Sequence, residues 1–298
     1  MMRRRRFREE PLRTITGKRV LITGAASGIG RAIAVAMADE DAQLILVDID
    51  EPGLHRLQSE VEDRVPVESY SCDLSQPAMV SKLVRDVTKA GSVDILVNNA
   101  GVAYYGPTEA MTQEQWDWLM AINLHAPIQL ARELLPSMLQ QPEPHIVNMC
   151  SISGMVAGGR FAAYHVSKFG LVGFTEAIRA EFGRRGMGVS AICPGPVRTD
   201  LYKSAAGGRA GKPVPEPPRW MTASPEAIAK RTVKAVRKNK RLTLITPTAH
   251  ALYQLKRFAP GLIDFANQFS RKKFRRRRDA RKLAAEQAAE YQRSRKAA

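Results

Sequence analysis

The chain has 298 residues, 44% of them hydrophobic, enough for one large α/β domain or two small ones around a buried core. No run of about 18 apolar residues is free of charge, and the basic stretch Met1–Arg8 has no apolar run behind it, so neither a membrane-spanning helix nor a secretory signal is expected. The net charge of +17 suggests a polyanion footprint only until it is divided by region. Residues 1–19 hold eight Lys/Arg against two acids, residues 250–298 fourteen against four, and the body between them 24 against 23. The body is therefore balanced, and any polyanion would meet the two ends. Cys72, Cys150 and Cys193 are far apart and without metal-ligand spacing. They read as reduced packing residues of a cytosolic protein, and no metal site is expected.

After a basic arm at 1–17, the first strand is RVLIT (19–23), and further strands are expected at 43–48, 65–71, 94–99, 145–150, 189–193 and 242–246. Several are nearly continuous apolar runs, as in strands covered on both faces. Helical periodicity occupies 29–39, 76–90, 112–140, 162–185 and 225–238. Strand–helix alternation implies a parallel, doubly wound sheet of about seven strands with right-handed crossovers, helices on both faces, and a single domain over 18–247. Residues 201–222, rich in Gly and Pro, break this rhythm and read as a functional loop. Beyond Pro247, apolar residues from Leu252 to Phe269 recur at helical steps, interrupted at Pro260-Gly261. The basic run RKKFRRRR (271–278) and an Ala-rich tail follow, so 248–298 is expected to be an amphipathic, basic, helical extension.

Directly after the first strand stands Thr23-Gly24-Ala25-Ala26-Ser27-Gly28-Ile29-Gly30, opening a helix. Glycines let the backbone turn sharply and approach a pyrophosphate, and a helix N-terminus offers N–H groups and the positive end of its dipole. A glycine trio alone also fits any tight strand–helix turn. Here the second strand ends in Asp48, where a carboxylate can accept hydrogen bonds from the ribose hydroxyls of an adenosine. A 2′-phosphate beside Asp48 would be repelled, so NAD is favoured over NADP as cofactor, with Arg31 the one nearby cation that could offset this.

Tyr164-His165-Val166-Ser167-Lys168 opens another helix, and positions i and i+4 share a face. An ammonium beside the Tyr164 phenol, which titrates near ~10 when free, favours the phenolate and makes a base of it. Ser151 stands just past the strand at 145–150, on the edge where open parallel sheets bind ligands, and can donate to a developing alkoxide. Ser153 competes for that role. Asn99-Ala100-Gly101 ends another strand at the same edge, and Asn123 sits inside the 112–140 helix, where an amide is a poor helix former.

TGAASGIG, Asp48, Cys72-Asp73-Leu74, Asn98-Asn99-Ala100-Gly101, Asn123, Ser151, YHVSK and Pro194-Gly195-Pro196-Val197-Arg198-Thr199 stand in the order found in short-chain dehydrogenases/reductases, and the chain resembles that family over about residues 16–246. The resemblance implies a Rossmann-like fold and NAD(P)-dependent oxidoreduction of CH–OH groups. It implies Tyr164 as general acid/base, Lys168 lowering the phenol pKa and holding the nicotinamide ribose, Ser151 orienting substrate, and Asn123 helping to hold a proton-relay water. Cofactor contacts are implied for Thr23, Gly24, Ser27, Gly28, Ile29, Gly30, Asp48, Asp73, Leu74, Asn99, Ala100, Gly101, Tyr164, Lys168, Pro194, Val197 and Thr199. It further implies that 201–222 is a substrate lid and that long helices at 112–140 and 162–185 pair copies into a homodimer or homotetramer.

The expected reaction interconverts a secondary alcohol and a ketone. Tyr104, Tyr105, Phe161 and Trp220 suggest an apolar pocket and a lipophilic small-molecule substrate. Two other readings stand beside this: a 3-oxoacyl carrier-protein or CoA-type reductase using NADP, and a non-catalytic dinucleotide sensor or membrane-associated scaffold. The expected location is cytoplasmic, with peripheral contact of the basic tail to an anionic membrane weighed equally against a solvated tail. Nucleic acid is not an expected partner, because Phe7 and Phe274 are the only aromatics within the basic runs.

Overall fold

The computed structural model describes residues 12–198, 206, 207, 218, 222–263 and 265. Seven strands form one parallel sheet: β1 (Arg19–Thr23), β2 (Gln43–Asp48), β3 (Val67–Ser71), β4 (Ile95–Asn98), β6 (His145–Met149), β7 (Gly188–Cys193) and β9 (Leu242–Leu244). They lie in the order β3-β2-β1-β4-β6-β7-β9, every pair parallel. The chain thus winds outward from β1 in one direction, returns to β4 and winds the other way. This is the doubly wound Rossmann-like α/β fold expected from the alternation of strand and helix.

Side chains of the central strands alternate between two cores, as the two-residue strand period requires. On one face Val20, Ile22, Leu44 and Leu46 pack with α1 (Gly28–Ala38), α2 (Glu51–Val61) and α7 (Pro225–Arg237). On the other, Leu21, Ile45, Val47 and Leu96 pack with α3 (Pro77–Lys89) and α5 (Ala126–Met138), joined by the apolar face of α6 (Ala162–Phe182).

Helix α2 is absent from the sequence reading. Pro52 and Gly53 look like a turn, and besides Gly53 only Leu54, Leu57 and Val61 are buried. Pro52 in fact lies in the first turn, where a missing N–H costs nothing, and the Asp50 carboxylate caps the helix by accepting from Gly53 N. The single helix expected over 112–140 is three pieces: α4 (Gln113–Met120), a wider π-helical turn at Ala121–His125, and α5. A short parallel pair, β5 (Tyr104–Tyr105) with β8 (Ala206–Gly207), brings two residues of the expected lid beside Tyr104 and Tyr105. The remainder of that lid, apart from Pro218 and Thr222, lies outside the described residues.

The chain divides into two compact units, Met1–Leu252 and Tyr253–Ala298. The sheet belongs wholly to the first. Helix α8 (Pro247–Phe258) stops two residues short of Pro260, at the interruption expected there. Most of the second unit, including the basic run 271–278, lies outside the described residues. Among the described residues no helix is long and apolar enough to cross a membrane.

Candidate active site

A cavity of 580 Å³ opens beyond the C-terminal ends of the strands and reaches residues from the ends of β1, β2, β4, β6 and β7. This is the sheet edge where the strand order reverses between β1 and β4, the crevice in which doubly wound folds hold ligands.

One wall is the turn from β1 into α1. Gly24 and Gly28 have φ of +66° and +53°, values that L side chains rarely adopt. A Cβ at Gly24 would sit 2.8 Å from Ala100 Cα, and one at Gly30 would sit 1.9 Å from the Gly24 carbonyl oxygen. These two glycines let the turn, the helix and the loop after β4 close upon each other. Gly24, Ser27, Gly28 and Ile29 line the cavity, while Gly30 is buried behind them. Among the described residues no side chain caps α1 and no acid occupies its first turn, so its N-terminal N–H groups face the cavity wall without a side-chain cap there.

Thr23 is also buried behind the wall: its Oγ1 accepts from Asn99 N at 3.0 Å and Ala100 N at 3.1 Å. Asn99 Nδ2 returns hydrogen bonds to the carbonyls of Thr23 (3.0 Å) and Gly24 (3.2 Å). Asn99, Ala100 and Gly101 themselves face the cavity. Asp48 and Asp73 stand at its far end with Leu74. Asp48 is fixed by three backbone donors: Oδ2 accepts from Ala26 N at 2.9 Å, and Oδ1 from Ile49 N at 2.7 Å and Asp50 N at 3.1 Å. Arg31, the cation weighed above as an offset to Asp48, is paired with Glu60.

Across the cavity stand Ser151, Tyr164 and Lys168. Lys168 is 4% exposed; its Nζ donates to the Met149 carbonyl at 2.9 Å and lies 5.7 Å from the centroid of the Tyr164 ring. Burial pushes the pKa of this ammonium below the ordinary lysine range, and the neighbouring Cys150 and Cys193 oppose that shift. Ser151 Oγ accepts from Ser153 N at 3.1 Å, leaving the hydroxyl's own proton to donate elsewhere.

Asn123 occupies the π-helical turn, is fully buried, and does not line the cavity. Its Oδ1 accepts from Val102 N and its Nδ2 donates to Val102 O, both at 2.8 Å, with Ser167 Oγ at 3.3 Å. A Cβ at Gly101 would fall 3.4 Å from Asn123 Oδ1 and 3.6 Å from Lys168 Nζ. The π turn, Gly101 and Lys168 therefore meet at one point. Interruptions of this kind cluster at functional sites, which answers why an amide sits mid-helix.

Pro194 and Val197 line the cavity, with Gly195 and Pro196. Thr199 and Trp220 lie outside the described residues. Of the aromatics expected in a substrate pocket, Phe161 lines the cavity, Tyr105 packs on Phe161 with the rings tilted and centroids 4.9 Å apart, and Tyr104 is buried in a separate cluster with Leu119 and Ala163. Trp118 and Ile122 also line it. Sequence reasoning missed them because helical periodicity does not reveal which face of a broken helix meets a neighbouring loop.

The acid pair, the uncapped helix end and the phenol–ammonium–hydroxyl group follow one another along the cavity. This succession fits the ribose, pyrophosphate and nicotinamide of a dinucleotide. Comparison with known proteins agrees. Residues 18–209 match the family model for short chain dehydrogenase. The chain is 39% identical over 199 residues to D-threitol dehydrogenase of Mycolicibacterium smegmatis, covering 66% of this chain and 76% of that protein. It superposes on a short-chain dehydrogenase/reductase from Burkholderia phymatum in complex with NAD, with TM-score 0.75, 27% identity, and 84% and 96% of the two chains covered. A metagenomic short-chain oxidoreductase in complex with NADP gives TM-score 0.66, 30% identity, and coverage of 78% and 97%.

Proposed function

Because the chain belongs to the short-chain dehydrogenase/reductase family, whose members act on CH–OH groups, we propose that it interconverts a lipophilic secondary alcohol and its ketone by NAD-dependent hydride transfer, with Tyr164 as general acid/base. The observation that carries this reading is the buried Lys168 ammonium beside the Tyr164 ring at the cavity wall. A cation there favours the phenolate, and making the phenol ten times more acidic takes about 1.4 kcal/mol of such stabilisation.

In the oxidising direction, the phenolate oxygen of Tyr164 takes the hydroxyl proton while the carbinol carbon gives up hydride. Ser151, its lone pair engaged by Ser153 N, donates its own O–H to the substrate oxygen and stabilises the developing charge. Asn123 holds the loop at Val102 against the Lys168 side of the cavity. Reduction follows the same path in reverse. Bound nicotinamide would supply the hydride acceptor or donor; Asp48 and Asp73 would hold its adenosine end, Ser27–Ile29 the pyrophosphate, and Lys168 the nicotinamide ribose. The fixed charge of Asp48 and the pairing of Arg31 with Glu60 support NAD over NADP.

Val102, Ala103, Trp118, Ile122 and Phe161 on the cavity wall support a lipophilic substrate. Exposed Trp118 on α4 and exposed Val166 and Phe169 on α6 support pairing of copies through these helices. The second unit exposes Phe258, Leu262 and Phe265 and carries the basic run 271–278, which supports a peripheral contact of a cytoplasmic enzyme with an anionic membrane. On that reading the protein co-sediments with acidic-lipid vesicles and not with neutral ones; equal partitioning removes the membrane contact.

A spectrophotometric screen of hydroxy-lipids, steroids, retinoids and small diols, run with NAD and NADP separately, tests the reaction. The expected result is NAD-linked turnover of an apolar alcohol. Turnover only of 3-oxoacyl thioesters with NADPH would favour the carrier-protein reductase. Tight dinucleotide binding with no hydride transfer would favour the sensor.

A further inference from the structure

His165, which follows Tyr164 in α6, is joined to both ends of the loop Ser153–Gly158. His165 is 9% exposed. Its Nδ1 lies 2.9 Å from the Ser153 carbonyl, and its Nε2 lies 2.9 Å from the backbone nitrogen of Gly158. A backbone N–H can only donate and a carbonyl can only accept. Nε2 must therefore offer its lone pair and Nδ1 must carry the proton, so the two partners select the neutral Nδ1–H tautomer. One imidazole thus closes the loop from Ser153 to Gly158 like a clasp.

That loop meets the cavity at its near end: Ser153 lines it, with Ser151 and Ile152 just before, and Ser153 N is the donor that orients the Ser151 hydroxyl. The near end of the loop is also seated on α6, where a Cβ at Gly154 would fall 2.6 Å from the Lys168 carbonyl oxygen. The far end is different: a Cβ built at Gly158 or Gly159 meets nothing within 4 Å, so this end lies in open space and His165 ties it down. The imidazole also meets the Phe161 ring edge-on, with centroids 6.3 Å apart, and Phe161 faces the cavity.

We propose that His165 is a specificity-determining positioning residue, which holds the Ser153–Gly158 loop against α6 and so sets how tightly the alcohol or ketone is bound. This rests on the reading of the cavity as a hydride-transfer site. His165 touches neither the reacting atoms nor the wall that receives the dinucleotide, so its loss acts on substrate binding and leaves cofactor binding and the chemical step in place.

His165→Phe keeps a ring against Phe161 and removes both hydrogen bonds. The expected result is a rise of about tenfold in KM for the alcohol, as two bonds of modest net worth imply, with kcat within about threefold of the parent protein and NADH affinity unchanged. His165→Gln, whose side-chain oxygen can accept from Gly158 N, recovers most of the lost KM. A residue that only fills space would instead lower the melting temperature without separating KM from kcat, and glutamine would not rescue it. Either an unchanged KM in His165→Phe or a matched fall of kcat that glutamine does not repair overturns the proposal.

Amide exchange on the unmodified protein supplies a test that needs neither turnover nor a stable variant. The Gly158 amide must exchange slowly, and fast exchange there also overturns the clasp. Tyr164→Phe, assayed beside these variants, separates the two levels. Full activity in Tyr164→Phe removes the site assignment itself, whereas an inactive Tyr164→Phe with an unaffected His165→Phe removes the clasp alone.

Discussion

A carboxylate that accepts three backbone N–H groups cannot swing away from an approaching phosphate, and Asp48 is held in this way at the end of β2. On the proposed NAD-dependent reading, its charge, more than its shape, would discriminate against a 2′-phosphate. Asp48→Asn keeps the shape and one carbonyl acceptor while removing the charge. The ratio of kcat/KM for NAD to that for NADP should fall about tenfold or more, equivalent to roughly 1.4 kcal/mol of lost repulsion. An unchanged ratio would place the adenosine ribose elsewhere. The two serines after β6 are separable by the same logic. Ser151 has its lone pair engaged by Ser153 N, whereas the part Ser153 plays in the loop is played by its backbone, through its N–H to Ser151 and its carbonyl to His165. Ser151→Ala should lower kcat by roughly 10²–10³, the usual cost of one donor to a developing oxyanion, and Ser153→Ala by far less. Equal losses would contradict the assignment.

Elements meet here at places where a single methyl would separate them. A Cβ at Gly30 would lie 1.9 Å from a backbone oxygen of Gly24, an atom with no freedom to withdraw. Gly30→Ala is therefore expected to cost several kcal/mol of stability and to abolish dinucleotide binding, read by thermal unfolding and by NADH fluorescence; a stable, NADH-binding variant would refute this. The glycine turn was legible in the sequence because strand, turn and helix follow one another without interruption. So were the seven strands and their parallel sense, though not their order in the sheet, since buried strands are short apolar runs between helical periods. Helix α2 was not legible, because besides Gly53 only Leu54, Leu57 and Val61 are buried and Pro52 and Gly53 resemble a turn. The break at Ala121–His125 was not legible either: a π turn keeps nearly the same apolar spacing, and Asn123 was its single outward sign. Trp118 on α4 and Ile122 within that turn both line the cavity, so this wall is the part of the site the linear pattern concealed. The common sheet edge of Ser151 and Asn99 was visible too, since both follow strands of one parallel sheet, but the contacts among Lys168, Gly101 and Asn123 depend on a helix break the spacing does not show.

Over the whole molecule, the sheet carries a burden that pH can expose. His145 on β6 is completely buried; its Nε2 lies 2.9 Å from Ser190 Oγ, and burial, with Arg13 and Arg179 nearby, pushes its pKa down to about 3. In the unfolded chain the same imidazole titrates near ~6.5. Above that value neither state is protonated and the group is neutral to stability. Between there and about 3 the unfolded state alone binds the proton, so stability falls with falling pH by up to about 1.4 kcal/mol per pH unit. Urea unfolding from neutral to mildly acidic pH should show this slope in the parent protein and its absence from His145→Asn. Equal slopes would mean that other groups govern acid unfolding.

The fold as a whole gathers a phenol, a buried ammonium and a hydroxyl at one end of one cavity. Once a substrate alcohol is found, single-turnover NADH formation by Tyr164→Phe, measured beside NADH binding, addresses that arrangement most directly. The expected outcome is a loss of hydride transfer by several orders of magnitude with NADH affinity nearly intact, because only the phenolic oxygen is removed. A Tyr164→Phe protein that still reduces NAD at close to the parent rate would show that the acid/base lies elsewhere.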